Sequence, residues 1–266
     1  MTRILAAIVL GFFATVLRAA EPALLPKAGP GQADRRDSMR YELQILTAKP
    51  GKLDALHDWF RTHQAEVLAK HGATNLAYLV PVGENPERKI LCLYEYPSAA
   101  AVMTFSRAVK ADPSWAPLDT SKDGSDRLVE TVNATQCHPT VYSPLFEPSK
   151  SPEPRVFELR TYTCPTPEKL ARLHERFKSH TTKLFAKHGM ENLVYLQPGD
   201  DERKLVYLLG HKSQEAAKAS FAAFRSDPEW LAAKKASEAA AGGSLTNAEN
   251  GVLSEFFVGT DYSPLK

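Results

Sequence analysis

Residues 156–198, VFELRTYTCPTPEKLARLHERFKSHTTKLFAKHGMENLVYLQP, decide how the rest of the chain is read. Phe157, Leu159 and Thr161 alternate with Glu158, Arg160 and Tyr162, the period of a strand with two unlike faces. Thr166 then offers an N-cap hydroxyl, Pro167 suits the first helical position, and Glu168 places a negative charge where the helix dipole favours it. Leu170, Leu173, Phe177 and Leu184 follow at helical spacing. Lys187, His188 and Gly189 supply the cations and the left-handed residue that close a helix. Residues 192–197 read as a second short strand.

The same grammar occurs earlier, at residues 41–81. YEL answers FEL, LHDWF answers LHERF, AKHG recurs unchanged, and NLAYLVP answers NLVYLQP. The correspondence continues beyond the second strand. GENPERK and GDDERK are polar turns into third strands at 90–96 and 205–210. Ser98 and Ser213 cap second helices that run through Val109 and Phe224. Asp112-Pro-x-Trp115 and Asp227-Pro-x-Trp230 each start a further helical turn, with the tryptophan as a packing anchor. Last strands are expected at 128–135 and 253–260, and each repeat closes on Tyr-Ser-Pro-Leu, at 142–145 and 262–265. The order βαββαβ, twice, is the ferredoxin-like motif, so the fold class is α+β. Domains are expected at 39–145 and 155–266 around a proline-rich linker at 146–154. Helices on one side of each sheet leave its other face bare, and two bare faces in one chain can cover each other as an intramolecular α/β barrel.

Together, FELRTYT at the head of a repeat, a helix ending in glycine, the DPxW element and the closing YSP resemble the NIPSNAP family. Its domains belong to the dimeric α/β barrel superfamily. The resemblance covers nearly all of 41–265 and is sharper in the second repeat. Members of that family are associated with mitochondria, vesicle traffic and protein binding, roles that do not transfer to a chain with an export signal. The family offers no established catalytic residues to carry over. The wider superfamily includes monooxygenases and haem-degrading enzymes, so the resemblance leaves two readings open. One is an exported binding or interaction protein without catalysis, taking a small molecule or a protein partner. The other is a small cofactor-poor, monooxygenase-like enzyme with a pocket in the barrel.

The export signal is read from residues 1–20: Arg3, an apolar run at 4–17, then Ala19 and Ala20. The run is shorter than the roughly 20 residues of a membrane span, so cleavage after Ala19 or Ala20 and a periplasmic or secreted protein are expected. Membrane association would require an uncleaved leader. Residues 21–38, rich in proline and glycine, form a tether. The formal net charge of +2 comes from interspersed acids and bases, which gives no nucleic-acid surface. Three cysteines make a poor disulfide framework, and Cys92, Cys137 and Cys164 are read as unpaired thiols. Oligomeric state is not legible.

Histidines recur in register as His57, His63, His71 and His174, His180, His188. His63 and His180, counted from Phe60 and Phe177, are expected on buried helix faces, as core residues or a pocket base. His71 and His188 are expected as helix C-terminal cations. Their spacing, and the lack of HExxH, CxxC or an aspartate-rich loop, gives no metal site; no resident cofactor is expected. No GxSxG, P-loop or GxGxxG signals hydrolase or nucleotide chemistry. The candidate ligand-binding set is Glu158, Arg160, Tyr162, Glu255 and His180. If Phe157 and Leu159 pack on the helices, the polar face of the strand looks into the space between the sheets, beside Glu255 of the last strand. Arg160 then pairs with Glu158 or Glu255, as a structural ion pair or as the polar end of a pocket. His180 contributes only where a pocket passes the sheet edge. In the first repeat, Glu42, Gln44 and Leu46 stand at the positions of Glu158, Arg160 and Tyr162.

Overall fold

A computed structural model describes residues 37–121, 124, 126–149, 153 and 155–266, so the leader at 1–20 and nearly all of the tether lie outside the described residues. The first repeat contains β1 (Arg40–Ala48), α1 (Leu53–His71), β2 (Thr74–Pro81), β3 (Lys89–Tyr96), α2 (Ala99–Ala111), a 3-10 turn (Pro113–Leu118) and β4 (Val129–Pro139). The second contains β5 (Val156–Thr163), α3 (Pro167–Arg176), a π turn (Phe177–Thr181), α4 (Thr182–Lys187), β6 (Glu191–Pro198), β7 (Lys204–His211), α5 (Gln214–Ser226), α6 (Pro228–Ala240) and β8 (Val252–Gly259). The capping residues act as their chemistry dictates. Thr166 accepts from the Lys169 amide, and Ser98 and Ser213 accept from the amides of Ala101 and Ala216.

The eight strands close into one barrel in the order β1-β3-β2-β8-β5-β7-β6-β4. Each repeat contributes four adjacent strands, and two short antiparallel ladders seal the seams: Leu79, Val80 and Pro81 on β2 against β8, and Cys137, His138 and Pro139 on β4 against β6. This seam explains why β4 continues past the expected end at residue 135, for its last residues pair with the other repeat. The barrel interior is apolar, and Leu43, Leu91, Leu93, Leu159, Leu196 and Leu208 leave a void of only about 10 Å³. Two further cores lie outside, between each half of the barrel and its own helices.

The closing tetrapeptides are exchanged between the repeats. Ser143 accepts a hydrogen bond from the Tyr195 amide, and Ser263 from the Tyr78 amide, both at 3.0 Å. The Tyr142 hydroxyl meets His174 Nδ1 at 2.8 Å, and the Tyr262 hydroxyl meets His57 Nδ1 at the same distance. Each tail therefore packs on the first helix of the other repeat, and the recurrence of Tyr-Ser-Pro-Leu has a physical cause. Burial lowers the pKa of both imidazoles below the ordinary histidine value.

AKHG and DPxW form a second recurrent unit. Lys70 and His71 hold Asp112 at 2.8 and 3.2 Å, and Lys187 and His188 hold Asp227 at 2.6 and 2.9 Å. Each aspartate also caps the turn that follows it, accepting from the amide of Ser114 or Glu229. The lysine bonds, with these other donors, hold both carboxyls well below the ordinary aspartate value. A depressed carboxyl pKa stabilises the fold fully above the unfolded value, near 4, and that contribution is lost as pH falls through the folded value. Asp227→Asn is thus expected to melt below the parent at pH 7, with the gap closing below about pH 4; a gap independent of pH would refute the clamp.

After DPxW the repeats diverge. The first has PSWAPL, where Pro117 cannot continue a helix, and only a 3-10 turn forms. The second has PEWLAAKKASEAA and makes the full helix α6. The three cysteines are free and buried, one in each of the three cores, and burial pushes Cys164 up to about 11 and Cys137 up to about 12.

Candidate functional site

The strand faces are the reverse of the expected ones. Phe157 and Leu159 belong to the barrel interior, while Tyr162 packs in the helix-facing core of the second repeat. Glu158, Arg160 and Tyr162 therefore look toward the helices, and the space between the sheets holds leucine. Arg160 pairs with Glu158, donates to the Tyr207 hydroxyl at 2.9 Å, and lays its guanidinium 4.5 Å from the Phe221 ring centre. Glu158 is 1% exposed and also meets His211 Nε2 at 3.1 Å and the Ser254 hydroxyl at 2.5 Å. Burial alone would raise its pKa, but the His211 bond, the Arg160 charge and Ser254 outweigh it and the net direction is down.

Two members of the expected set stand elsewhere. Ser254, not Glu255, lies opposite Arg160 in the β5–β8 register, and Glu255 shares the face of Leu159. Glu255 instead pairs with Lys89 across the seam between the repeats. His180 is 42% exposed and faces Glu229 at 3.5 Å. His63 is exposed too and stacks on Trp59 with centroids 5.7 Å apart. The buried arc of α1 runs on through Gln64 and Leu68, which turns it away from His63; His57 and His174 are the histidines that face the tails.

The first repeat holds an open cleft in the corresponding region. It measures about 540 Å³ and lies between the outer face of β1 and β4, helix α2 and the 3-10 turn. Glu42 and Gln44 form its polar floor; Phe105, Val109, Trp115 and Leu118 supply apolar walls. Gln44 and Gln136 each donate an amide N–H to Glu42. Here burial dominates, and the two glutamine bonds do not offset it, so the Glu42 carboxyl is raised above its ordinary value. A raised acid favours the protonated fold, and its contribution to stability declines as pH rises through the shifted value. The neighbouring Tyr96 hydroxyl is buried without a partner. In the second repeat the residue in its place, His211, reaches the glutamate.

Sequence differences account for the cleft. Counting from the capping serines, Ser106 and Val109 stand where the second repeat has Phe221 and Phe224, both buried. Gln44 stands where Arg160 fills space over Phe221. The short turn imposed by Pro117 replaces α6. Of these signals Gln44 alone lay in the polar strand face that the sequence singled out, because the cleft is otherwise made by small side chains and a missing helix. Among the described residues no three His, Cys, Asp or Glu side chains gather as a metal site.

The closed eight-stranded sheet with both helical layers outside defines a single-chain α/β barrel of two ferredoxin-like repeats. The chain belongs to the NIPSNAP family, whose model matches residues 41–144 and 157–256. Among solved structures, it resembles a candidate monooxygenase from Fusobacterium nucleatum subsp. nucleatum, with a TM-score of 0.56 at 11% identity over 84% of this chain and 92% of that one. A second, from Lactobacillus acidophilus, gives 0.54 at 11% identity over 83% and 93%. An uncharacterized NIPSNAP-like domain protein from Burkholderia xenovorans gives 0.35 at 16% identity over 44% and 97%. The first two likenesses show the fold. A comparison with curated proteins gives no match.

Proposed function

We propose that this chain is a non-catalytic binding protein that takes a small, largely apolar ligand in the cleft of its first repeat, with Glu42 and Gln44 at the polar end. One observation supports the reading above others. The same fold occurs twice, and the first repeat, with Ser106 and Val109 where the second has Phe221 and Phe224, holds an apolar cleft over its buried glutamate. A concave site with apolar walls and a few convergent polar groups is the usual form of a small-molecule site. The leader grammar at 1–20 supports export, and the mature protein is expected to begin near Ala20 or Glu21 by mass spectrometry.

Small aromatic alcohols and ketones, titrated against the fluorescence of Trp115 in the cleft wall, are the direct test. Ser106→Phe transplants the residue of the second repeat into the cleft and is expected to weaken binding by about tenfold or more, roughly 1.4 kcal/mol. Its melting temperature should stay close to that of the parent. Equal binding by the parent and Ser106→Phe would remove the cleft as the site; chemical turnover of a bound compound would replace the binding role by an enzymatic one.

A further inference from the structure

A second cavity, independent of the Glu42 cleft, lies where α1, the start of β2 and the exchanged tail of the second repeat meet. It measures about 470 Å³ and is lined by Phe60, Leu68 and Ala73 together with Tyr262 and Pro264 of the tail. Two amide side chains also line it, Gln64 from α1 and Asn75 from β2. Gln64 is 3% exposed, and its Nε2 has no hydrogen-bond partner; Asn75 Oδ1 is likewise buried and unpartnered. An orphaned buried donor or acceptor costs about 1–3 kcal/mol, so a donor and an acceptor left unpaired on two side chains that line one cavity call for an explanation.

The second repeat shows that the fold does not require them. Thr181 stands in the place of Gln64 and Asn192 in that of Asn75. The Thr181 hydroxyl donates to the Arg176 carbonyl at 3.2 Å, and the π turn brings the Thr182 carbonyl within 3.0 Å of Asn192 Nδ2. The Tyr195 hydroxyl donates to Asn192 Oδ1. In the first repeat α1 is a regular helix, and the matching Tyr78 hydroxyl is drawn away to Tyr94 at 3.2 Å. Leu209 occupies the place of Tyr94 in the second repeat, so one substitution on β3 diverts the bond that would have satisfied Asn75.

We propose that this cavity is a second small-molecule site, specific for a primary carboxamide carried on a flat apolar body. With the two amide side chains turned toward the cavity they line, such a group accepts from Gln64 Nε2 through its carbonyl and donates to Asn75 Oδ1 through its N–H, pairing both orphans. The Phe60 and Tyr262 rings, nearly parallel at 12° with centroids 5.8 Å apart, offer an aromatic wall for the body. Arg61 is already engaged by Asp58 and Asp261 and leaves the site without a free cation for an anionic ligand.

Benzamide, with toluene as the control lacking the amide, is titrated calorimetrically into the full chain, and crystals are soaked with it. Benzamide is expected to bind at least about tenfold more tightly than toluene, because an analogue without the amide leaves both orphans unpaired. Gln64→Leu is expected to lose at least tenfold in benzamide affinity while melting no lower than the parent, since it removes an orphan donor. Asn75→Val is the second variant, with the same expected loss. The same titrations are run in the Ser106→Phe background, where any benzamide or toluene held by the Glu42 cleft is weakened, so that failure here is separated from failure of the Glu42 reading. The assignment is overturned if benzamide does not bind, if toluene binds as well, if both amide variants retain parental affinity, or if the soaked crystal holds only water between Gln64 and Asn75.

Discussion

Arg160→Leu is expected to lower the unfolding free energy by about 3 kcal/mol, the cost of stranding one member of a buried ion pair. Glu158 stays buried in that variant with its charge less compensated, and the guanidinium contact with the Phe221 ring disappears. His211 and the Ser254 hydroxyl remain as donors, which places the cost at the lower end of the range for broken buried pairs. Replacing Glu158, Arg160 and His211 together by leucine removes the whole charged set, and that variant is expected within about 1 kcal/mol of the parent, because apolar packing can match a buried ionic network. Urea unfolding with a constant slope measures both. A triple variant as damaged as Arg160→Leu would show that the network supplies stability of its own beyond filling space and satisfying charge.

The second large effect concerns the separated repeats. Residues 155–266 expressed alone are expected to form a homodimer and no stable monomer. Phe157, Leu159, Leu196, Leu208 and Phe257 would lose their cover on the interior face, at roughly 1.5–3 kcal/mol for each exposed side chain. A second copy can replace the missing half. Its tail would bring Tyr262 to His174, the same pair of residue types as Tyr142 with His174 in the intact chain. Light scattering after size exclusion reads the mass, and addition of the 37–149 fragment should convert the homodimer to a mixed pair. A soluble, folded monomer of 155–266 would refute the interdependence of the repeats.

Much of the architecture was legible from residue order. The alternation in FELRTYT, the hydroxyl caps at Ser98, Thr166 and Ser213 and the glycine ends of the first helices specify strands and helices locally, through torsions and hydrogen bonds within a few residues. Repetition of that order gave two equivalent sheets, each with a face needing cover, and so the barrel. Which strand face turns inward was not local information. An alternating strand has two faces but no sign, and a charged face can be buried as soon as partners surround it. His211, Ser254 and Phe221 provide those partners from three different elements, so Glu158 and Arg160 face the helices while leucines fill the barrel. Tail exchange was equally hidden, because Tyr142 and His174 are joined only after the seams close. The cleft over Glu42 was written in Pro117, Ser106 and Val109, but as an absence: small side chains and a helix that cannot form become a cavity only when the surrounding walls are in place, and that is decided by tertiary packing.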